Sequence, residues 1–346
     1  MRDQACTRDD LLRRALEGPF PERDALLMVG RFSPLRPLER IRLLVTAPQP
    51  EQLLGLDHYQ VEQIIGRPLR RTAWNPRQLL ADTELDRRWL SLDERWVLWF
   101  GDDRYPSHLR EIYDPPALLY GWGQLREAGR RGVALVGTRQ PDQEGEKAAF
   151  ATGYDLARHG VVCVSGLARG IDAAAHRGTT GAGGTALAVL GSGIDAVYPA
   201  SNRPLGADIL DQGGAILSEY PPGVPPQRHQ FPARNRIVVG LSAGVVVFQA
   251  PEPSGALISA EFGLQLGVDV MVHAAGASWT GCLRLLQAGA SLVEGARDIL
   301  DLIAPGVLGE EAVPAGELLS PGAAAEQTKL ALFDSPGEIP SREVHR

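Results

Sequence analysis

Glycine and arginine recur together after four short apolar segments in the middle of the chain. They occur as Gly137-Thr138-Arg139, as Ser165-Gly166 with Arg169-Gly170, as Gly191-x-Gly193 followed by Arg203, and at the end of a proline-rich loop as Phe231 with Arg234-Asn235-Arg236. Glycine lets a backbone approach a ligand and present its N–H groups, while arginine adds fixed charge and a bidentate fit to phosphate oxygens. The repetition predicts an extended phosphate-binding edge.

Six short apolar segments must position these residues. They are Val133–Val136, Val161–Val164, Ala186–Leu190, Ala215–Leu217, Val245–Phe248 and Val270–Val272. Their starts are separated by about the length of a βαβ unit, and they are continuously apolar, as in a parallel sheet covered on both faces. Helices are predicted between them at Asp142–Arg158, Ile171–Thr179, Pro204–Gln212 and Ser254–Leu266. In such a sheet, ligands bind at the carboxyl ends of the strands, where the glycines and arginines fall.

The chain is expected to fold in three parts. Residues 1–90 are rich in leucine and arginine and are interrupted by prolines, which predicts a small helical domain. Residues 91–303 predict an α/β domain with an extended Rossmann-like, doubly wound and mostly parallel sheet. Residues 304–346 are rich in alanine, glycine, proline and glutamate, which predicts a largely flexible tail.

Composition excludes several classes of protein. The 35 basic and 42 acidic residues give a net charge of −7, so a nucleic-acid site must be a local patch. Cys6, Cys163 and Cys282 have no zinc-ligand or disulfide spacing. No apolar segment approaches the 18 or so residues of a membrane span, and the first residues lack the apolar stretch of a signal peptide. We therefore expect a cytoplasmic protein without a metal or membrane contact.

Other chemistries have less support in the sequence. Gly191-x-Gly193-x-x-Ala196 matches a dinucleotide fingerprint, but Pro199 interrupts the segment where the phosphate-binding helix should begin. Asp172 and His176 are spaced as a metal pair or an acid/base pair, yet no third ligand is evident, which favours helix capping and a hydrogen-bonded histidine. Ser165 lacks the flanking pattern of a nucleophile elbow. We expect neither a cofactor nor enzymatic catalysis.

Taken together, the motifs resemble one family, the DprA/Smf proteins. The matching segments are Asp103-x-Tyr105-Pro106, Pro115-Pro116-x-Leu118-x-Tyr120-x-Trp122-Gly123, Val136-Gly137-Thr138-Arg139, Ser165-Gly166-Leu167-Ala168-Arg169-Gly170-Ile171-Asp172, Gly191-x-Gly193-x-Asp195-x-x-Tyr198-Pro199-x-x-Asn202, Ser218-Glu219-Tyr220-Pro221, Phe231-Pro232-x-Arg234-Asn235-Arg236-Ile237 and Ser254-Gly255-x-Leu257-Ile258. They cover about residues 96–300 in unbroken order.

The resemblance implies a binding protein of bacterial recombination and natural transformation. Such proteins bind and protect single-stranded DNA without cleaving it, form homodimers, and help to load the RecA recombinase onto the strand. The resemblance also implies a SAM-like helical domain over residues 1–90. Many family members end in a winged-helix domain, for which residues 304–346 are too short and too irregular.

The hypothesis from the sequence is that a strand's phosphates cross the carboxyl edge of the sheet. Gly137, Gly166 and Gly170 would allow close backbone approach, and about five arginines would give a log–log salt slope of roughly −3.5. Phe231 or Tyr198 would stack a base, although Phe231 is equally suited to closing the loop onto the core. The predicted nucleic-acid-binding residues are Gly137, Arg139, Ser165, Gly166, Arg169, Gly170, Arg203, Phe231, Arg234, Asn235 and Arg236.

The alternative from another class is an enzyme acting on nucleotides. Phosphoribohydrolases of the lysine decarboxylase-like group have a related fold, a Pro-Gly-Gly-x-Gly-Thr loop and a glutamate on a helix. In this chain, Ser254-Gly255-Ala256-Leu257 with Glu261 is a partial match, and the glycine-rich loop is missing.

Overall fold

A nine-stranded sheet forms the centre of the part of the chain that the structure, a computed structural model, describes: residues 7–69, 73–124 and 132–303. The strands are β1 (Arg95–Trp99), β2 (Leu118–Gly123), β3 (Gly132–Val136), β4 (Val162–Ser165), β5 (Ala186–Gly193), β6 (Ala215–Tyr220), β7 (Gly244–Val247), β8 (Asp269–His273) and β9 (Ser291–Val293).

Helices precede, connect and follow these strands. They are α1 (Arg8–Glu17), α2 (Arg23–Arg31), α3 (Pro37–Thr46), α4 (Pro50–Gly55), α5 (His58–Ile65), α6 (Pro76–Leu90), α7 (Ser107–Glu111), α8 (Gln143–Arg158), α9 (Ile171–Gly181), α10 (Arg203–Asp211), α11 (Gln230–Gly240), α12 (Gly255–Leu266), α13 (Thr280–Gln287) and α14 (Ala296–Ile303). Among the described residues, no helix is both long enough and apolar enough to cross a bilayer.

The order of the strands creates a crevice at the centre of the sheet. The order is β1-β2-β6-β5-β4-β3-β7-β8-β9, with β1 and β2 antiparallel at one edge and the other strands parallel. From β3 the chain moves outward through β4, β5 and β6, and β7 then pairs with the other side of β3. The topological switch point therefore lies between β3 and β7, where a ligand is expected at the carboxyl ends.

The predicted fold class is confirmed. Each of the six apolar segments forms a parallel strand, and the four predicted helices correspond to α8, α9, α10 and α12. Asp142 caps α8 by accepting a hydrogen bond from the Gly145 backbone N–H at 2.8 Å. The sequence did not predict β1, β2 and β9, of which β1 and β9 are the two edge strands and β2 lies between β1 and β6.

Helix α11 corrects one prediction. Phe231 to Arg236 were expected to end a loop, but they lie in the first turns of this helix. Pro232 is its third residue, where a proline costs no intrahelical hydrogen bond. Residues two apart on a helix point about 200° apart around its axis. Arg234 and Arg236 therefore face opposite sides of α11.

Six helices, α1 to α6, precede the first strand of the described chain. Pro37 and Pro76 are the first residues of α3 and α6, the helical position at which proline is best tolerated. The Arg31 guanidinium of α2 forms an ion pair with the buried Asp86 carboxylate of α6. The division into domains at residue 90 stays a prediction, and the predicted tail at 304–346 lies outside the described residues.

Helices α8 and α9 pack closely because each presents a glycine to the other. A Cβ at Gly153 would overlap the Ala175 carbonyl oxygen, and a Cβ at Gly178 would overlap the Phe150 carbonyl oxygen. This contact fixes the position of α9, whose first residue directly follows Gly170. The packing of two helices thus determines where one glycine-rich loop meets the sheet edge.

Replacing Gly178 by alanine is expected to lower the free energy of unfolding by about 1–3 kcal/mol, because the added methyl group overpacks the α8–α9 contact. Gly181→Ala is the matched control on the same helix, because its added Cβ meets only a ring atom of Phe150 at 3.8 Å. This control is expected to be neutral or slightly stabilising. Urea unfolding measures both variants, and equal stability would contradict the close packing.

Candidate nucleic-acid interface

Two adjoining cavities lie at the carboxyl edge of the described sheet, and together we call them the groove. The aromatic cavity, about 260 Å³, is lined by residues that include Arg139, Arg169, Tyr198, Phe231 and Arg234. The switch-point cavity, about 630 Å³, shares Arg139, Tyr198, Phe231 and Arg234 and extends to Arg228 and to Ser254-Gly255. The structure therefore brings residues from the ends of β3, β4, β5 and β7 and from α11 to one place.

A cationic and aromatic cluster lies between the two cavities. The guanidinium carbon of Arg139 is 5.3 Å from the centroid of the Phe231 ring, within the range of a cation–π contact. The Tyr198 ring lies 5.6 Å from the Phe231 ring in a tilted arrangement. Tyr198 is 49% exposed and Phe231 is half-buried, so both rings can contact a ligand in the groove.

The exposed cations of the groove match the predicted set only in part. Arg139 and Arg169 are exposed and line the groove, and their contact with nucleic acid stays a prediction. Arg228 is an additional exposed cation, lining the switch-point cavity; its signal in the sequence was its position just before Phe231 and Arg234. Arg203, half-buried at the start of α10, is not among the described residues that line either cavity.

Arg234 forms the floor of the groove and is only 5% exposed. Its guanidinium donates hydrogen bonds to the carbonyl of Val189 and to the Asn235 side-chain oxygen, the latter at 3.1 Å. It lies directly over Gly166, where any Cβ would overlap it. Burial lowers the pKa of Arg234, an effect that the nearby Asp172 carboxylate opposes. A guanidinium remains charged even so, which places a desolvated cation beneath both cavities.

Asp172 organises the loop between β4 and α9. Its carboxylate accepts hydrogen bonds from the backbone N–H groups of Gly166 at 3.1 Å and Ala168 at 3.4 Å. Burial raises the pKa of Asp172, and the charge of Arg234 lowers it. The expectation that Gly166 offers a free N–H to a ligand is therefore corrected, because that N–H already has an acceptor.

The other glycines and Ser165 also have structural roles. A Cβ at Gly137 would lie 2.5 Å from a side-chain carbon of Ile171, and a Cβ at Gly170, whose φ is +76°, would overlap the Thr138 carbonyl. Ser165 is fully buried, and its hydroxyl donates to the Leu135 carbonyl at 2.6 Å. The predicted ligand contact of Ser165 is thus corrected, since its hydroxyl does not reach the groove.

Arg236 corrects a further prediction, because it points away from the groove. It is 7% exposed, and its guanidinium donates to both carboxylate oxygens of the buried Glu219 at 2.7 and 2.8 Å. Its remaining nitrogens donate to the carbonyls of Asp114 and Ala233, each at 2.8 Å. With every nitrogen engaged, Arg236 is a structural cation and not a phosphate ligand.

Asn235 connects two parts of the groove. Its side-chain amide donates to the Gly255 carbonyl at 3.0 Å, while its oxygen accepts from Arg234. It therefore fixes the start of α12 relative to α11. The side chain is half-buried and lines the switch-point cavity.

Asp172 and His176, which are four residues apart on α9, are both buried. The His176 ring is fully buried, with Nδ1 at 3.9 Å from the Cys163 sulfur. Burial lowers the pKa of His176 to about 3, so the ring is neutral at physiological pH. Across the described ranges, no group of three potential metal ligands occurs.

The dinucleotide fingerprint has a packing role. Gly191 and Gly193 belong to β5 itself, whereas the fingerprint requires a turn between a strand and a helix. A Cβ at Gly191 would lie 2.8 Å from the Phe231 ring, and a Cβ at Gly193 would lie 2.8 Å from the Pro221 carbonyl. These glycines make room for Phe231 and for the chain after β6.

Arg236→Met is expected to destabilise the protein by about 3–5 kcal/mol, because it leaves the buried Glu219 carboxylate without its partner. Combining it with Glu219→Gln should recover part of that loss. The exposed Arg169→Met is the matched control and should change the free energy of unfolding by less than about 0.5 kcal/mol. Urea unfolding tests all three variants, and a stable Arg236→Met would contradict the structural role.

The sequence is similar to those of known proteins. The family model of DNA recombination-mediator protein A matches residues 96–304. Protein Smf of Synechocystis is 40% identical over 251 residues, which are 69% of this chain and 59% of that protein. The chain thus spans less than two thirds of that relative's length.

Two solved structures of DNA processing protein A are also similar to this chain. DNA processing protein A from Streptococcus pneumoniae superposes with a TM-score of 0.63 at 32% identity, over 82% of this chain and 99% of that one. DNA processing protein A from Helicobacter pylori, described for its unique single-stranded DNA binding mode, gives a TM-score of 0.54 at 27% identity, over 60% of this chain and 95% of that one. Because the family model matches more than half of the residues, the chain belongs to the DprA/Smf family of DNA-processing proteins.

Proposed function

We propose that the groove binds single-stranded DNA and that the protein is a recombination mediator. In this proposal it protects the strand and helps to load the RecA recombinase onto it during DNA uptake and natural transformation. The observation that carries the proposal is the cluster of Arg139, Phe231 and Tyr198 between two adjoining cavities, above the buried guanidinium of Arg234.

Charge supports a strand whose phosphates follow the groove. Arg139, Arg169 and Arg228 are exposed, and Arg234 lies below them, so cations line both cavities. The whole chain carries a net charge of −7, which disfavours nucleic acid elsewhere on the surface. Affinity would come largely from the release of counterions by these few arginines.

The aromatic rings support an unpaired strand in preference to a duplex. Every nucleobase has a face that can stack on an aromatic ring, but the bases of a duplex are already stacked and paired. Phe231 and Tyr198 border both cavities, beside the arginines that would hold the phosphates. An unpaired strand can turn its bases into this groove while its backbone contacts the arginines.

Membership of the family supports the proposed partners. The matching family model describes recombination-mediator proteins, and one structural relative is described for binding single-stranded DNA. We therefore include RecA as a protein partner, a homodimer as the active form, and the cytoplasm as the site of action.

The buried polar groups favour binding over catalysis. The Ser165 hydroxyl and the His176 ring are buried beneath the loop, where neither can attack a substrate or transfer its proton. Glu261, the glutamate required by the phosphoribohydrolase alternative, is exposed on α12 and is not among the described residues that line the groove.

Reversing the charge of Arg139 and Arg169 together is expected to abolish measurable binding of an oligothymidylate in moderate salt. At low salt, where some binding remains, the magnitude of the log–log salt slope should decrease by about 0.7 for each phosphate that an arginine no longer neutralises. Fluorescence anisotropy over a salt series measures both effects. The matched control reverses Arg158 and Arg297, which are exposed on α8 and α14 and line neither cavity. Equal affinities for the two double variants would refute the proposed site.

Phe231→Leu distinguishes stacking from packing. Leucine retains an apolar contact above Gly191 but removes the aromatic face, so stacking predicts a loss of about 1–3 kcal/mol in binding free energy. Phe231→Trp is expected to retain affinity. Thermal unfolding accompanies the binding assay, and a leucine variant that loses stability but binds the strand as wild type does would assign Phe231 to packing alone.

A further inference from the structure

Gln249, the second residue after β7, is a buried polar side chain to which the proposed function assigns no role. It is fully buried, and it is not among the described residues that line either cavity. A buried amide loses its hydrogen bonds to water, so both its oxygen and its nitrogen must find partners within the protein. The partners of Gln249 therefore indicate what the residue does.

The side chain of Gln249 joins the start of α8 to the segment that follows β8. Its amide nitrogen donates to the Asp142 carboxylate at 2.8 Å and to the Ala275 carbonyl at 3.0 Å, and its oxygen accepts from the Asp142 backbone N–H at 3.1 Å. Asp142 is the N-cap residue of α8, and Ala275 lies two residues after β8. Three hydrogen bonds thus connect segments that follow the three neighbouring strands β3, β7 and β8.

The same residue holds both ends of the loop between β3 and α8. The Gln249 backbone carbonyl accepts from the Thr138 backbone N–H at 2.7 Å, and the side chain holds Asp142 at the other end of the loop. Arg139 lies between these two points and is exposed, with its guanidinium carbon 5.3 Å from the centroid of the Phe231 ring. The direction in which Arg139 leaves the loop therefore depends on Gln249.

The partners of the amide determine which residue type can occupy this position. The Gly145 backbone N–H and the Gln249 amide donate to the Asp142 carboxylate and lower its pKa, so Asp142 is ionised at neutral pH and can only accept. The Ala275 carbonyl can only accept as well. Both acceptors need the N–H groups of Gln249, and a glutamate would present an oxygen to them instead. A Cβ at Gly145 would overlap the amide, so this glycine leaves the space that Gln249 occupies.

We propose that Gln249 is a positioning residue for DNA binding, which holds the loop from Thr138 to Asp142 so that Arg139 is presented to the groove. The inference rests on the proposed function and adds to it a residue that acts on the strand only through Arg139. It requires the neutral amide, and not a carboxylate of the same shape.

Gln249→Met removes the three side-chain hydrogen bonds but keeps a side chain of similar length and volume. Because the loop is then held less firmly, an oligothymidylate is expected to bind about tenfold more weakly, the effect of losing one charge-assisted hydrogen bond. The magnitude of the log–log salt slope should decrease by up to about 0.7, the contribution of one phosphate on a single strand. Fluorescence anisotropy over a salt series measures both quantities.

Thr179→Val is the matched control for the loss of buried hydrogen bonds. The Thr179 hydroxyl donates to the carbonyls of Gly153 and Ala175, and the residue is not among the described residues that line the groove. This variant is expected to lose stability but to keep the wild-type affinity and salt slope. A role of Gln249 in stability alone would give the same result for Gln249→Met.

A double-mutant cycle tests whether Gln249 acts through Arg139. Residues that act through one shared contact are not additive, so Gln249→Met is expected to change the affinity less than about twofold when Arg139→Met is already present. A further tenfold loss in that background would overturn the inference. If Gln249→Met does not fold, as thermal unfolding shows, the cycle is measured with Gln249→Glu, which keeps the shape of the side chain.

Gln249→Glu also tests the requirement for a neutral amide. The new carboxylate faces that of Asp142, and their repulsion should weaken binding at neutral pH at least as much as Gln249→Met does. Adding Asp142→Asn supplies an N–H donor to the new carboxylate and still provides a good N-cap for α8, so most of the lost affinity should return. A Gln249→Glu variant with wild-type affinity, or a folded double variant without recovery, would contradict the positioning role.

The outcomes separate this inference from the proposed function. A wild-type protein that does not bind the oligonucleotide refutes the proposed function, and the role of Gln249 in binding falls with it. If the wild type binds and Arg139→Met weakens that binding, while Gln249→Met binds as the wild type does, the proposed function stands and the positioning role of Gln249 is refuted.

Discussion

The buried guanidinium of Arg234 is the interaction on which the groove depends. A cation removed from water must be compensated, and here Asp172, the Val189 carbonyl and the Asn235 side chain supply that compensation. Gly166 leaves the space that the guanidinium occupies. Since Asp172 also holds the loop after β4, one charged pair fixes both the floor of the groove and the loop that carries Arg169.

The topology of the sheet explains why the other side chains that line the groove converge on this point. The chain leaves β3 in one direction and returns to its other side with β7, so their following segments diverge and leave a crevice. Helix α11 crosses beside this crevice and presents Phe231 and Arg234 to it, while the opposite side of the helix buries Arg236 against Glu219. A single helix thus lines the groove with one face and stabilises the fold with the other.

The sequence predicted the parallel strands because continuous apolar segments at βαβ spacing have few other interpretations. It did not predict α11, whose burial on several sides removes the amphipathic period, and it therefore could not separate Arg234 from Arg236. Glycine residues also gave a misleading prediction of ligand contact. The residue type alone does not distinguish Gly166, which leaves room for the Arg234 guanidinium, from Gly255, where an added Cβ would face open space.

The most direct test of the account compares binding of one oligonucleotide as a single strand and as a duplex, over a range of salt concentrations. Arg139, Arg169, Arg228 and Arg234 line the groove, so the single strand is expected to bind more tightly than the duplex, with a log–log salt slope of about −3. Equal or tighter binding of the duplex, or an affinity for the single strand that does not change with salt, would contradict it.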